Sequence, residues 1–325
     1  MMSTFPATGT PDRVATIDVG TNTALLLVAE RTGDGLRVCA TEDRFVRLGA
    51  GVDEHRRIQP EAMTRLREAL LAYKTTAARW GASTIIVAAT SASRDAKNSQ
   101  ELVDFVRDET GLSYEILSGE EEALWSFNGA LSDLPPRPGL VATLDIGGGS
   151  TERVVGAWDA AAGVWRVHDA VSFDLGGVRL TERFFTSQPP APAEIDAAAA
   201  WVRQTLATAD LTVPEDTLLL GASGTTTSLA LIAQGVSRWE DLPDPRPVLR
   251  LEDVERWRTR LMAHSFEEVL AINPAVMNGR ADVFPAGLLI LETVMRLSGT
   301  PTIRAAHRGL RHGLALRHWR GLAGV

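Results

Sequence analysis

At 325 residues, with 45% hydrophobic residues and a net charge of −8, the chain is too long for one compact core and suits two domains of about 150 residues each. The acidic balance argues against broad binding to nucleic acid or to an anionic membrane. A single cysteine, Cys39, excludes an internal disulfide and a thiolate cluster, and six scattered histidines without HxH or HExxH spacing leave no histidine-built zinc site.

The first residues, Met1 to Val14, hold no apolar signal core and read as a short frayed tail. The longest apolar runs, such as "STIIVAATSA" and "DTLLLGASG", are of strand length and cannot span a bilayer. A cytoplasmic protein is expected. From Ala15, "ATIDVGTNTALLLV" reads as strand, Asp-x-Gly loop and strand, followed by a turn and the strand "DGLRVCA". A helix is predicted over Pro60–Ala82, a buried-type strand at "STIIVAATSA", and a helix from near Asn98. In "ILSGEEEALW", Ser118 and Glu121 make a capping box at a helix start. Acids in a first turn favour the helix dipole without further purpose, which suffices for Glu120 and Glu121. Glu122 lies about 100° further round the helix. It could face a cleft, where a carboxylate beside bound phosphates deprotonates a water.

"LSDLPPRPGL", Leu131–Leu140, with three prolines and a glycine, is the linker candidate. Beyond it "ATLDIGGGSTERVV" from Ala142 and "AGVWRVHDA" repeat the opening pattern. Helices then run through "AEIDAAAAWVRQTLATAD", a strand over Asp216–Gly224, a helix from about Thr226 and an apolar helix through "PAGLLILETVMRLSG". Arg280 and Asp282, which open that last helix, fit an interdomain ion pair or a substrate contact. The tail arginines 308, 311, 317 and 320 fit a solvated helix face or a guide for a polyanion.

The two halves are in register. Asp18 and Asp145, and likewise Gly49 and Gly176, are 127 positions apart. Such self-similarity points to a duplicated α/β unit whose loops face one another across a cleft. Gly147, Gly148 and Gly149 in succession cost roughly 1 kcal/mol each relative to Ala in regular structure. A tight turn would explain them, but so would N–H groups that approach an anion, with hydroxyls adding donors. The second copy, "DVGTNT", favours the anion. All but Lys74 and Lys97 of the 33 cations are arginines. Base composition accounts for that, although Arg is also the side chain that grips phosphate bidentately.

Taken together, "IDVGTNT", "ATSASRDAKN", "LSGEEEA", "LDIGGGSTE", "GGVRLTERF", "GRADVFPAG" and "HRGLRHG" resemble, in order, the motifs of the exopolyphosphatase/guanosine pentaphosphate phosphatase (Ppx/GppA) family. The resemblance spans nearly the whole chain. It implies a duplicated actin-like, ribonuclease-H-like α/β fold, as in sugar kinases, heat-shock chaperones and actin, with an interdomain cleft. Domain I would comprise residues 1–130 plus a C-terminal helix at about 305–325, and domain II residues 131–304. The implied activity is removal of terminal phosphate from inorganic polyphosphate, or of the 5′ γ-phosphate of guanosine pentaphosphate, with Mg²⁺ or another divalent cation such as Mn²⁺. By that resemblance Glu122 is the general base and Arg94 the phosphate-gripping arginine. Asp145, Glu152 and Asp18 are the metal- and water-organising acids. Thr21, Asn22, Thr23, Gly147, Gly148, Gly149, Ser150 and Thr151 are the phosphate-binding donors.

Two departures stand out. His307 and His312 occupy positions where the family carries acids, which would make that region more cationic below about pH 6.5. "GASGTTT" replaces a Gly-Gly-Thr, with Ser223 narrowing the turn's freedom. The chain ends soon after "HRGLRHG", so the extra C-terminal domains of long relatives are expected to be absent. Short polyphosphates or a nucleotide polyphosphate then become substrates, and a homodimer could extend the cleft. An actin-like small-molecule kinase and a non-catalytic nucleotide or alarmone sensor are the rival readings.

Overall fold

The computed structural model describes residues 11–33 and 35–321. Most of the expected N-terminal tail lies outside the described residues, and the first strand begins at Arg13. The first half runs β1 (Arg13–Val19), β2 (Thr23–Thr32), β3 (Gly35–Phe45), α1 (Val52–His55), α2 (Pro60–Arg79), β4 (Thr84–Ala89), α3 (Ser91–Asp95), α4 (Ser99–Thr110) and β5 (Glu115–Ile116). Helix α5 (Gly119–Ala130) follows. The second half runs β6 (Leu140–Ile146), β7 (Thr151–Asp159), β8 (Val164–Phe173), α6 (Gly177–Phe184), α7 (Pro192–Leu206), β9 (Leu218–Gly221) and α8 (Gly224–Gln234). It continues with β10 (Val248–Arg250), α9 (Leu251–Met262), α10 (Phe266–Ile272), α11 (Pro274–Met277), α12 (Phe284–Leu297), β11 (Thr302–Ala305) and α13 (Leu310–Arg320).

The strands form two mixed sheets, ordered β3-β2-β1-β4-β5 and β10-β11-β9-β6-β7-β8. The repeat seen in the sequence holds at the level of register. Asp18 pairs across the hairpin with Leu25, and Asp145 with Glu152. The register slips between Val28 and Ala29 in one half and between Val155 and Gly156 in the other, again 127 positions apart. The shared register shift extends the repeat to backbone geometry, and the duplicated α/β architecture is actin-like.

Alternation along the strands decides which side chains meet. In β1, Ala15, Ile17 and Val19 join the core formed with α2 and α4, whereas Val14 faces Ala315 and Leu316 of α13. In β6, Ala142, Leu144 and Ile146 enter the core of the second half, whereas Val141 packs with Ala123 and Phe127 of α5. Asp18 and Asp145 fall on the same parity as Val14 and Val141. They therefore project from the faces that carry α13 and α5.

Those two helices pack tightly on each other. A Cβ at Gly129 of α5 would overlap the Gly309 carbonyl, and one at Gly313 of α13 would overlap the Trp125 carbonyl. The predicted strand over Asp216–Gly224 is confined to Leu218–Gly221, and α8 starts at Gly224 because the Ser223 hydroxyl caps the Thr226 amide.

Candidate active site

The loops after β1 and β6 are built alike. Gly20 N–H donates to Thr23 O, and Gly147 N–H to Ser150 O, both at 2.9 Å. In the second loop, successive carbonyls are tied to α6. Gly147 O accepts from Gly177 N–H at 3.0 Å, Gly148 O from Val178 N–H at 2.8 Å and Gly149 O from Arg179 Nε at 2.9 Å. In a trans peptide the N–H opposes the C=O, so the amides of Gly148, Gly149 and Ser150 point away from α6. They donate to no acceptor among the described residues. Three successive amides are thus left without a protein acceptor, a row of donors suited to an anion.

The first loop reaches the second directly. A Cβ at Gly148 would come within 2.9 Å of Thr21 Cβ, and one at Gly149 within 2.7 Å of Thr21 Oγ1. Close approach of Thr21 is thus a second reason for glycine here. Not every predicted donor is free. Thr151 Oγ1 donates to Leu175 O at 2.6 Å, inside the fold, and Asn22 Nδ2 donates to Gly279 O at 3.1 Å across the halves. Thr23 opens β2.

Around these loops stand four carboxylates. The capping box forms as read, with Ser118 Oγ accepting from Glu121 N–H at 3.2 Å and Glu121 Oε2 accepting from Ser118 N–H at 2.9 Å. Glu122 is left buried and pairs with Arg94 at 3.0 Å. Arg94 also donates to Leu117 O at 2.9 Å. One turn along α5, Ser126 donates to Asp145 at 2.5 Å. Ser172 donates to Glu152 at 2.8 Å.

Burial pushes these acids up. Asp145 rises to about 6, with the Ser126 hydrogen bond opposing. Asp18 rises to about 7, through burial and then the Asp145 charge, against Arg311. Glu152 rises to about 8, through burial and then Asp145. Glu122 rises well above its usual range, through burial and the Glu152 charge, with Arg94 opposing.

Among the described residues no three His, Cys, Asp or Glu side chains converge to cage a metal by themselves. Mg²⁺ does not need such a cage, since it takes one or two carboxylates and fills its shell with waters and phosphate oxygens. The all-oxygen donor set and the mutual repulsion of Asp18, Asp145 and Glu152 fit a hard divalent cation.

A second group of charges, missed in the sequence, joins the halves beside the loops. Arg179 of α6 is 7% exposed. It reaches Asp53 at 2.6 Å, Asp95 in a shorter bond and Ser91 Oγ at 3.4 Å, all from the first half. Arg183 also pairs with Asp53, at 2.7 Å. Its only sequence signal was its place in "GGVRLTERF".

Elsewhere the structure corrects particular readings. Asp282 makes the expected interdomain ion pair, with Arg47 at 2.6 Å, whereas Arg280 makes none among the described residues. Arg280 bonds Ser228 at 2.6 Å and lies over the Phe45 ring. Arg308, Arg311 and Arg317 are not a solvated stripe, since they bond Ser132, Leu26 O and Glu115. His312 does not add positive charge near pH 6. It is buried, and burial together with the Arg311 and Arg308 charges holds it well below 6.5. Its Nδ1 accepts from Gly309 N–H at 3.2 Å, the bond a Glu three residues into a helix makes in a capping box. His307 instead stacks on Trp239, ring centroids 5.0 Å apart.

Comparison with known proteins places the chain among phosphatases. A family model described as the Ppx/GppA phosphatase family matches residues 27–320. The chain is 33% identical over 320 residues to Exopolyphosphatase 2 of Mycobacterium tuberculosis (strain ATCC 25618 / H37Rv), covering 94% of this chain and 98% of that protein. It is 29% identical over 309 residues to a guanosine-5'-triphosphate,3'-diphosphate pyrophosphatase of Vibrio vulnificus, covering 93% of this chain and 58% of that protein. An exopolyphosphatase structure from Cytophaga hutchinsonii superposes with a TM-score of 0.85 at 27% identity, covering 96% of this chain and 99% of that one.

Proposed function

Because the chain belongs to the Ppx/GppA phosphatase family, we propose that it is an exopolyphosphatase-type phosphohydrolase, releasing the terminal phosphate of inorganic polyphosphate. The observation that carries the reading is the row of open amides at Gly148, Gly149 and Ser150 beside the buried Glu122–Arg94 pair. The amides hold non-bridging oxygens of the terminal phosphate, and Arg94, with donors left over from Glu122 and Leu117, neutralises charge as it develops. Glu122, its proton affinity raised well above the usual carboxylate range by burial, takes the proton from the attacking water. A new P–O bond forms from that water while the bridging P–O bond breaks, and the shortened chain leaves with the bonding pair. One or two of the carboxylates Asp145, Asp18 and Glu152 would hold Mg²⁺ or Mn²⁺, with waters filling the rest of its shell, and the ion when bound offsets charge on the phosphate oxygens.

The 5′ γ-phosphate of guanosine pentaphosphate ends in the same group, and similarity to the Vibrio protein keeps it as the second reading. Release of phosphate from polyphosphates of defined length and from guanosine pentaphosphate, each with Mg²⁺, separates the two. Faster release from polyphosphate supports the proposal, and faster release from the nucleotide replaces it with the second reading. Binding of both without any release would make the protein a sensor, and transfer only to an added acceptor would make it a kinase.

A further inference from the structure

The three carbonyls that set the amide row are not held alike. Gly147 O and Gly148 O are bound by backbone amides of α6, which belong to the same half as the loop. Gly149 O is bound by a side chain, Arg179 Nε, at 2.9 Å. The remaining nitrogens of that guanidinium reach across to Asp53 and Asp95. A guanidinium is a rigid planar fork, so the two aspartates of the first half fix the direction in which Nε points.

We infer that Arg179 makes the third amide of the row, Ser150 N–H, conditional on docking of the two halves, and so acts as a positioning residue for the reaction. The inference rests on the hydrolase reading above. Without Asp53 and Asp95 a buried guanidinium would lack both counter-charges, a state that costs far more than the pair itself contributes. The side chain would turn to water and release the Gly149 carbonyl. Glycine imposes no Cβ barrier to rotation of that peptide, and Ser150 N–H would swing out of the row. The undocked protein keeps two oriented amides and the docked protein has three. Docking is shared with neighbouring contacts on the same helix, since Arg183 pairs with Asp53, and Glu182 accepts from Gly51 N–H at 3.1 Å.

The test compares the wild type with Arg179→Lys, Arg179→Met and the double variant Asp53→Asn/Asp95→Asn. Phosphate release is followed at saturating and limiting substrate, and compactness by solution scattering. Lysine keeps a charge for the aspartates but lacks the fork. Arg179→Lys is expected to lower kcat about 10²-fold, the size of losing one oriented oxyanion donor, with KM and compactness near wild type. The Met and double Asn variants are expected to lose at least as much kcat. A Lys variant with wild-type kcat would overturn the inference, leaving a plain ion-pair latch. Variants that lower only the melting temperature, with kcat and KM unchanged, would overturn it in favour of packing alone. If Arg179→Met does not fold, the Lys and Asn variants carry the comparison. No release from the wild type on any substrate overturns the hydrolase reading and this inference with it, whereas an active wild type with an unimpaired Lys variant overturns this inference alone.

Discussion

Asp18, Asp145 and Glu152 all bind protons more tightly in the folded chain than in the unfolded one, because burial disfavours their charges, and at Asp18 and Glu152 the Asp145 charge adds to it. For an acid shifted upward, the contribution to stability is complete below its unfolded pKa, here 3.8 for the aspartates and 4.5 for Glu152. It is lost as pH rises through about 6, 7 and 8 for Asp145, Asp18 and Glu152. His312, shifted downward, works in the opposite sense, but only below its unfolded value of 6.5. Between about pH 6.5 and 8.5 the carboxylates dominate. The metal-free protein should therefore melt at progressively lower temperature across that window, and Mg²⁺ should raise the melting temperature more at the alkaline end. Thermal unfolding in chelator and in Mg²⁺ checks both, and a Mg²⁺ effect independent of pH would count against a cation at these acids. Glu122 was legible at this scale because its neighbour Glu121 is consumed by the cap. The hydroxyl of Thr151 was not, since a strand residue's facing is set by what lies beneath it, here Leu175 O.

Helix α5 carries three tasks in twelve residues. Its first turn presents Glu122, its second turn places Ser126 on Asp145, and its end packs against α13 through Gly129. α13 answers with Gly313, and with Thr16 Oγ1 donating to Arg311 O at 2.8 Å it also fixes β1, whose end carries Asp18. Gly313→Ala should thus destabilise the protein by about 3 kcal/mol or more, at the upper end of overpacking costs. It should also lower activity, because the helices can no longer approach. Chemical denaturation and phosphate release measure the two effects, and a variant of wild-type stability would show that the helices have room to part. Strand and helix positions came mainly from apolar periodicity, and the errors sit at ends. α8 begins two residues early because Ser223 caps it, and α2 stops at Arg79 rather than Ala82. The pairing of α5 with α13 left no periodic signal, because its determinants are two isolated glycines far apart in the chain.

At the scale of the whole molecule, the duplication was legible because the two copies keep the same spacing, down to a shared register shift. Of the contacts between the halves only the ion pair of Asp282 was expected, and its partner was not. Arg179 and Asp53 are 126 positions apart, Arg179 and Asp95 84, and Arg47 and Asp282 235. No local pattern marks such partners. The repeat is also broken where chemistry enters, since Leu25 faces Asp18 in one half and Glu152 faces Asp145 in the other. The asymmetry leaves the second half with the denser set of acids, and α5 brings Glu122 to that side. The central claim is that Glu122 takes the proton of the attacking water, and the most direct test is kcat for phosphate release by Glu122→Gln. With folding verified by the melting temperature, kcat should fall by about 10²- to 10⁴-fold, the usual worth of a general base. A Gln variant that releases phosphate at the wild-type rate would contradict that assignment.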